Sequence, residues 1–323
     1  MRKRILTICA YNERLIIVIM SVLALLYPLV FNTPYLITIA TMSGIYAILA
    51  LSLNVMTGYT GVVTLGHAAF FGIGAYTSAL LARNMGWNFV ITFFAAMIIS
   101  AFFGILLGLA TLRLSGRYLT IVTLSFCEIV RIMLINLEWL TRGPLGITNI
   151  RRPEILGFSF RSPISYYYLV LVCIVFVLLI VKTLMNSRIG RGITALKNDE
   201  IAAMSMGIKV FQYKLIAFAF SSMIAGLGGA LYAHFISFID PFSFGFEQSI
   251  LILSMSIIGG LGNQFGSIFG AVALIMIPEV LRPLMAVRLV LYGAALVLVV
   301  LFRPKGLFGG INLKHIRQQA GQK

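Results

Sequence analysis

Ten stretches of this chain are apolar over all or most of the width of a bilayer, and most of its charged residues lie in the intervals between them. A hydrocarbon core of about 30 Å takes about 20 helical residues, with about 17–25 tolerated. The runs are Leu15–Phe31, Tyr35–Met56, Val62–Leu81, Phe89–Leu112, Tyr118–Leu137, Ser165–Leu184, Lys214–Ile236, Glu247–Leu261, Phe265–Leu281 and Leu289–Phe302. The last three are short for a span and are expected to be tilted, broken or extended by their flanks. With 60% of its 323 residues hydrophobic and 11% charged, the chain holds more apolar surface than a water-soluble core can hide. The excess faces lipid. The expected fold is an all-α polytopic membrane protein, one transmembrane domain over residues 1–323, with ten helices expected and nine as the alternative.

The charges orient that chain. A net charge of +16 would suit a nucleic-acid partner if it formed a patch, but the lysines and arginines cluster between apolar runs. The bias of cations toward the cytoplasmic side accounts for them, and no nucleic acid is expected. With both termini cytoplasmic, Arg2, Lys3, Arg4, Arg14, Arg113 and Arg117 lie inside, with the six cations from Lys182 to Lys214 and the 303–323 tail. Arg83, Asp240, Arg282 and Arg288 fall outside. One loop fits badly, because Glu138–Ile164 lies outside while carrying Arg142, Arg151, Arg152 and Arg161. Cys9, Cys127 and Cys173 stand singly, with no disulfide framework or metal-binding spacing. The basic N-terminus mimics a signal peptide, but Asn12, Glu13 and Arg14 interrupt it and no small-residue cleavage site follows, so a retained first span is expected.

Glycines punctuate two apolar runs in opposite halves of the chain. GYTGVVTLGHAAFFGIGAYTSALL contains Gly58, Gly61, Gly66, His67, Gly72 and Gly74, and GGLGNQFGSIFGAV contains Gly259, Gly260 and Gly262. Such clusters serve close helix packing or mark unwound segments that line a path. Their shared GxxG followed by a Gly-spaced run suggests an internal repeat. Glu128 and Arg131 lie deep in the fifth run, three residues apart and so on one helix face. They are read as a structural ion pair, with a place on the translocation path as the functional alternative. His67 is read as a hydrogen-bonded packing residue, with path lining as its alternative.

Enzyme signatures are missing. His67, His234 and His315 are widely separated, and there is no HExxH, no GxSxG and no metal cluster. GGLGNQFG lacks the lysine of a phosphate-binding loop, so no nucleotide site is expected. The chain is therefore not expected to be an enzyme, and any ATPase driving it belongs to another subunit.

One interruption stands out: SRIGRGITALKNDEIAAMSMGI, Ser187–Ile208. Asn198 is the expected N-cap of a short helix, with Asp199 and Glu200 at the positive end of its dipole. Gly207 is expected to end it in a left-handed conformation. Ile201, Met204 and Ile208 form an apolar stripe. A helix this short is marginal alone, so the stripe is expected to dock, onto a partner or onto its own protein.

These residues meet a known family. The motifs above, with GRYLTIVTLSFCEIVRI, TRGPLGITNI, FAFSSMIAGLGGALYAHF and the tail RPKGLFG, occur in order along nearly the whole chain after the first span. The chain resembles a LivM-type permease of the branched-chain amino acid ABC importers. The resemblance implies a multi-pass protein of the bacterial cytoplasmic (inner) membrane. Its implied partners are a homologous LivH-type permease, two cytoplasmic ATPase subunits and a soluble amino-acid-binding protein. ATP and Mg would be held by those ATPases, and no cofactor by this chain. The resemblance also implies that residues 185–213 form the coupling loop. Gly190, Arg191, Lys197, Asp199, Glu200, Ala202, Ala203, Gly207 and Ile208 fall on its matching positions, and the coupling helix is implied over 194–208. Met204, Ser205 and Met206 depart from the smaller or charged run expected there. Similar permeases move urea, short amides or other amino acids, and a stand-alone secondary transporter or channel is the rival from another class.

Overall fold

The computed structural model describes residues 24–29, 31, 33–112, 114, 116–155, 157–280, 293, 297, 301, 306 and 307. The first and last expected spans lie largely outside the described residues. So do Arg2, Lys3, Arg4, Cys9, Arg14, Arg113, Arg282, Arg288, His315 and, Gly306 and Leu307 apart, the 303–323 tail.

Helices make up most of the described chain. The long ones are α1 (Pro34–Leu53), α2 (His67–Asn84), α3 (Phe89–Thr111), α4 (Gly116–Asn136), α6 (Pro163–Asn186) and α9 (Val210–Ile236). Between them lie the short α5 (Glu138–Thr141), α7 (Arg188–Asn198) and α8 (Glu200–Ser205); α10 (Phe246–Gly259) and α11 (Gln264–Val280) follow. Among the described residues five segments are long and apolar enough to cross a membrane: Pro34–Gly58, Phe89–Thr111, Gly116–Asn136, Pro163–Asn186 and Val210–Ile236. This is a polytopic membrane protein.

Its packing follows the chemistry of lipid rather than of water. On α3 the exposed residues include Ile91, Phe94, Ile98, Phe102, Ile105 and Leu109, one continuous helical stripe of large apolar side chains. The opposite face buries Ala96, Ser100, Gly104 and Thr111. Lipid tails are as apolar as leucine, so helices associate through close packing and hydrogen bonds, which small residues permit. α9 is the central element and packs along α3, α2 and α1. Gly226 of α9 meets Ser100 and Ala96 of α3 on one side and Gly74 of α2 on the other, and Ser222 sits against Gly104. The burial of the spans follows from this: 67% of α9's apolar window is buried but only 22% of α4's, which leaves α4 at the periphery.

The first glycine-rich run departs from a simple span. The expected helix over Val62–Leu81 begins only at His67, and residues 61–66 are not helical. Two causes are visible. Asn54–Gly58 widens into a π-turn at the end of α1, and Gly61 takes a left-handed backbone (φ +78°). The Thr60 hydroxyl then accepts from Val62 N at 3.2 Å, satisfying a donor that the helix has lost. The expected Glu247–Leu261 run likewise stops at Gly259, because Gly260 turns to φ +112°. The chain therefore contains two helix–break–helix units, α1 to α2 and α10 to α11.

Loops sort to two ends. Strand β1 (Ile147–Thr148) pairs antiparallel with β4 (Phe238–Ile239), so the cation-rich 138–164 loop and the turn after α9 share one end. A small hairpin of β2 (Glu154–Ile155) and β3 (Phe158–Ser159) completes that loop. The opposite end carries α7 and α8, Gly58 and the 260–263 turn, as Lys197 shows by reaching Gly58 and Gly262.

Candidate functional site

The interruption between α6 and α9 folds as two helices, where one helix over 194–208 was expected. Ser187 caps α7, its hydroxyl accepting from Gly190 N at 3.2 Å. Gly190 lies flat on the backbone of Leu184 and Met185, and Gly192 lies under the Tyr213 ring; a side chain at either would push α7 off α6 and α9. Ile193 and Leu196 fill the space below.

The chain then bends sharply. Asp199, rather than Asn198, is the cap of α8, because its extended backbone (φ −160°) frees its carboxylate to accept from Ile201 N at 2.9 Å and Ala202 N at 3.0 Å. Asn198 is instead the last residue of α7. Gly207 ends α8 as expected, at φ +80°. Gly207 N donates to Met204 O at 2.9 Å and Ile208 N to Ala203 O at 3.1 Å, the paired bonds of a Schellman stop. Glu200 reaches back to Lys214 of α9 at 2.7 Å.

What α8 shows to solvent is apolar. Ile201 is 73% exposed, Met204 52% and Met206 83%. Ala203 is buried beneath them and Ile208 is half-buried, so the expected stripe divides into an outward pair and an inward foot. Arg191 and Ala202 are exposed as well.

Lys197 points the other way. Its Nζ donates to Gly58 O at 2.6 Å, and partial burial pulls its ammonium below the usual lysine range. Gly58 is where the first helix break begins, and the second break touches it: Gly262 N donates to Asn54 Oδ1 at 2.7 Å. A Cβ on Gly58 would sit 2.6 Å from Gly262 N, so only glycine lets the two breaks close on each other. Lys197, Gly58, Gly61 and Gly262 are thus brought together from three separate segments.

The remaining candidates lie apart from that junction. Gly66 packs on Thr123, Gly72 on Phe244, Gly74 on Gly226 and Gly259 on Gly266, all close helix contacts; Gly260 forms the turn after α10. His67 is buried, its Nε2 within 2.8 Å of Ser52 Oγ and 3.3 Å of Ser221 Oγ. Glu128 and Arg131 form the expected pair at 2.7 Å, and Glu128 Oε1 also accepts from Phe246 N at 3.3 Å, holding the start of α10. Among the described residues no group of His, Cys, Asp or Glu could hold a metal.

Asn54, Ser52, Ser221 and Lys214 were missed. A polar Asn54 four residues before a GxxG break was the available signal for the first. The two serines leave none, since serine is ordinary inside membrane helices.

The comparisons with known proteins meet this geometry. The sequence model of the family described as "Branched-chain amino acid transport system / permease component" matches residues 35–300. The chain belongs to that family. It is 37% identical to the high-affinity branched-chain amino acid transport system permease protein LivM of Salmonella typhimurium, over 92% of this chain and 75% of the relative. It is 36% identical to the LivM protein of Escherichia coli over the same shares. The autoinducer 2 import system permease protein LsrC of Yersinia pseudotuberculosis is 25% identical, over 79% of this chain and 69% of its own length. No solved structure matches the chain. This permease is therefore a transport subunit, embedded in a membrane by several apolar helices.

Proposed function

We propose that this permease carries branched-chain amino acids across the bacterial inner membrane as one of two membrane subunits of an ABC importer. The observation that carries the reading is the apolar face of α8, Ile201, Met204 and Met206, exposed on a doubly capped helix within a chain of this family. A well-formed short helix that leaves its hydrophobic residues in solvent is built for a partner. Two ATPase subunits, holding ATP and Mg, dock on residues 194–208 from the cytoplasm. A homologous permease completes the path, and a soluble binding protein delivers the amino acid from outside. Ten spans with both termini cytoplasmic place the 185–213 loop on the ATPase side, as the distribution of lysine and arginine requires.

The chain supplies the path and not the energy. ATP binding in the partner subunits favours one arrangement of α8, and access to the path alternates because the ATP-bound partners bind the two arrangements with different affinity. Glu128 and Arg131, paired on the peripheral α4, serve in this reading to hold the start of α10 rather than to line the path.

The test is co-purification with neighbouring gene products, followed by uptake into proteoliposomes with leucine, valine, urea and phenylalanine as competitors. ATP-dependent uptake competed by leucine and valine is expected. Uptake by this chain alone, without ATPases, would overturn the importer reading; competition by urea alone would overturn the substrate.

A further inference from the structure

The expected role of Lys197 was contact with an ATPase, but its ammonium is directed inward. It sits at the C-terminal end of the α1 π-turn, where unpaired carbonyls carry the negative pole of the helix. Its stem crosses Gly61, its Nζ bonds Gly58 O, and it comes within reach of Gly262. One side chain of the coupling segment therefore touches both helix breaks of the transmembrane core.

The junction it touches is incompletely satisfied. Asn54 gives its carbonyl oxygen to Gly262 N, yet its Nδ2 is buried with no hydrogen-bond partner, as is Thr57 Oγ1 one turn on. A buried polar group without a partner has given up its hydration for nothing in return, and such groups are rare in settled native packing. A π-turn inside a helix is another departure that recurs at working sites. Low-cost rearrangement is concentrated here, and Lys197 is the connection from α7.

We propose that Lys197 is a positioning residue of the transport cycle: its ammonium clamps Gly58 O and so holds the two helix breaks together until movement of α7 and α8 withdraws it. The clamp gives the two arrangements of the permease different contacts, without which a moving coupling segment shifts nothing in the core. It needs a positive charge at the end of a long stem, and arginine fulfils the same condition.

The inference rests on the importer reading above. Its test uses the assembled importer in proteoliposomes, with leucine uptake and ATP hydrolysis measured in the same vesicles. With Lys197→Met, hydrolysis is expected to persist while uptake per ATP falls about ten-fold or more. Lys197→Arg is expected to restore most of it. A third variant, Lys197→Cys in a Cys9→Ser background, is treated with 2-aminoethyl or with methyl methanethiosulfonate; Cys127 and Cys173 are buried. Restoration by the aminoethyl adduct alone is expected, since only that adduct rebuilds an ammonium. Unchanged uptake per ATP in Lys197→Met, or equal behaviour of the two adducts, would overturn the clamp. Loss of the assembled complex in all three variants would overturn it too, in favour of a purely structural role. Failure of the parent importer to take up leucine with ATP would sink the importer reading instead.

Discussion

The bundle around α9 and the segment α7–α8 are held by opposite means. Around α9, glycine and serine bring backbones into contact over several turns, and each contact fixes the next. Gly74, Gly226, Ser100, Ser222 and Gly104 form one such continuous seam. In α7–α8 close packing ends with α7, where Gly190, Gly192, Ile193 and Leu196 lie against α6 and α9; beyond it the links are separate points: the Asp199 cap, the Glu200–Lys214 pair and the Lys197 reach. A seam resists any local shift, because displacing one residue displaces its neighbours. A set of point contacts can be released one at a time. A transporter needs both, a core that moves as a body and an attachment that can be pulled.

The largest expected effect breaks the seam. A Cβ on Gly226 would lie 2.7 Å from Ala96 O, with Gly74 behind, so Gly226→Leu has no relaxed position to occupy. Overpacking costs about 1–3 kcal/mol where neighbours can give, and more where they are backbone. The variant is expected to lose most of its monodisperse yield in detergent. A variant with unchanged yield would show that the α2–α3–α9 contact is looser than its geometry.

The next effect falls on the other region and leaves yield alone. Ile201→Asp with Met206→Asp removes apolar surface that this chain leaves mostly exposed. Thermal stability of the isolated permease is expected to stay the same while ATP-driven uptake drops about ten-fold or more, the effect expected of a lost hot spot. Unchanged uptake would mean that α8 is not where the ATPases dock.

A smaller change tests the Asp199 cap. α8 has six residues, too few to persist unaided, and Asp199→Ala removes the acceptor for two of its amides. A lost cap costs about 1 kcal/mol, which corresponds to amide exchange about five-fold faster at Ile201 and Ala202. Exchange in α9 should not change. If it does, the two regions are coupled more tightly than their few contacts indicate.

The difference between the regions also decided what could be read beforehand. Spans such as Phe89–Leu112 and Ser165–Leu184 were legible to within two residues, because length and hydropathy alone determine them. Gly207 was legible because a left-handed stop selects glycine. The end of α7 was not: Asn198 and Asp199 are both good caps, and only the backbone bend at Asp199 distinguishes them. The junction of Asn54, Gly58, Lys197 and Gly262 was legible residue by residue but not as a cluster. Nothing local in the sequence says that residues 58 and 262 meet.

The smallest expected effect concerns Glu200 and Lys214, which look like the strongest link of α8 to the core. Both oxygens of Glu200 lie within hydrogen-bond distance of the ammonium, at 2.7 and 2.8 Å. Yet the Glu200 side chain is 47% exposed, so water screens the pair from the carboxylate's side, although the Lys214 side chain is only 11% exposed. Exposed pairs of this kind contribute about 0.2–1 kcal/mol. Glu200→Gln is therefore expected to lower uptake less than two-fold and to matter less still at high salt, where such a pair is already weakened. Among the described residues Lys197 has no carboxylate partner, only a carbonyl at a helix end, and its loss is expected to cost more than the loss of the geometrically better salt bridge. Should Glu200→Gln uncouple hydrolysis from uptake more strongly than Lys197→Met, the pull on the core would run through α9 rather than through the two helix breaks.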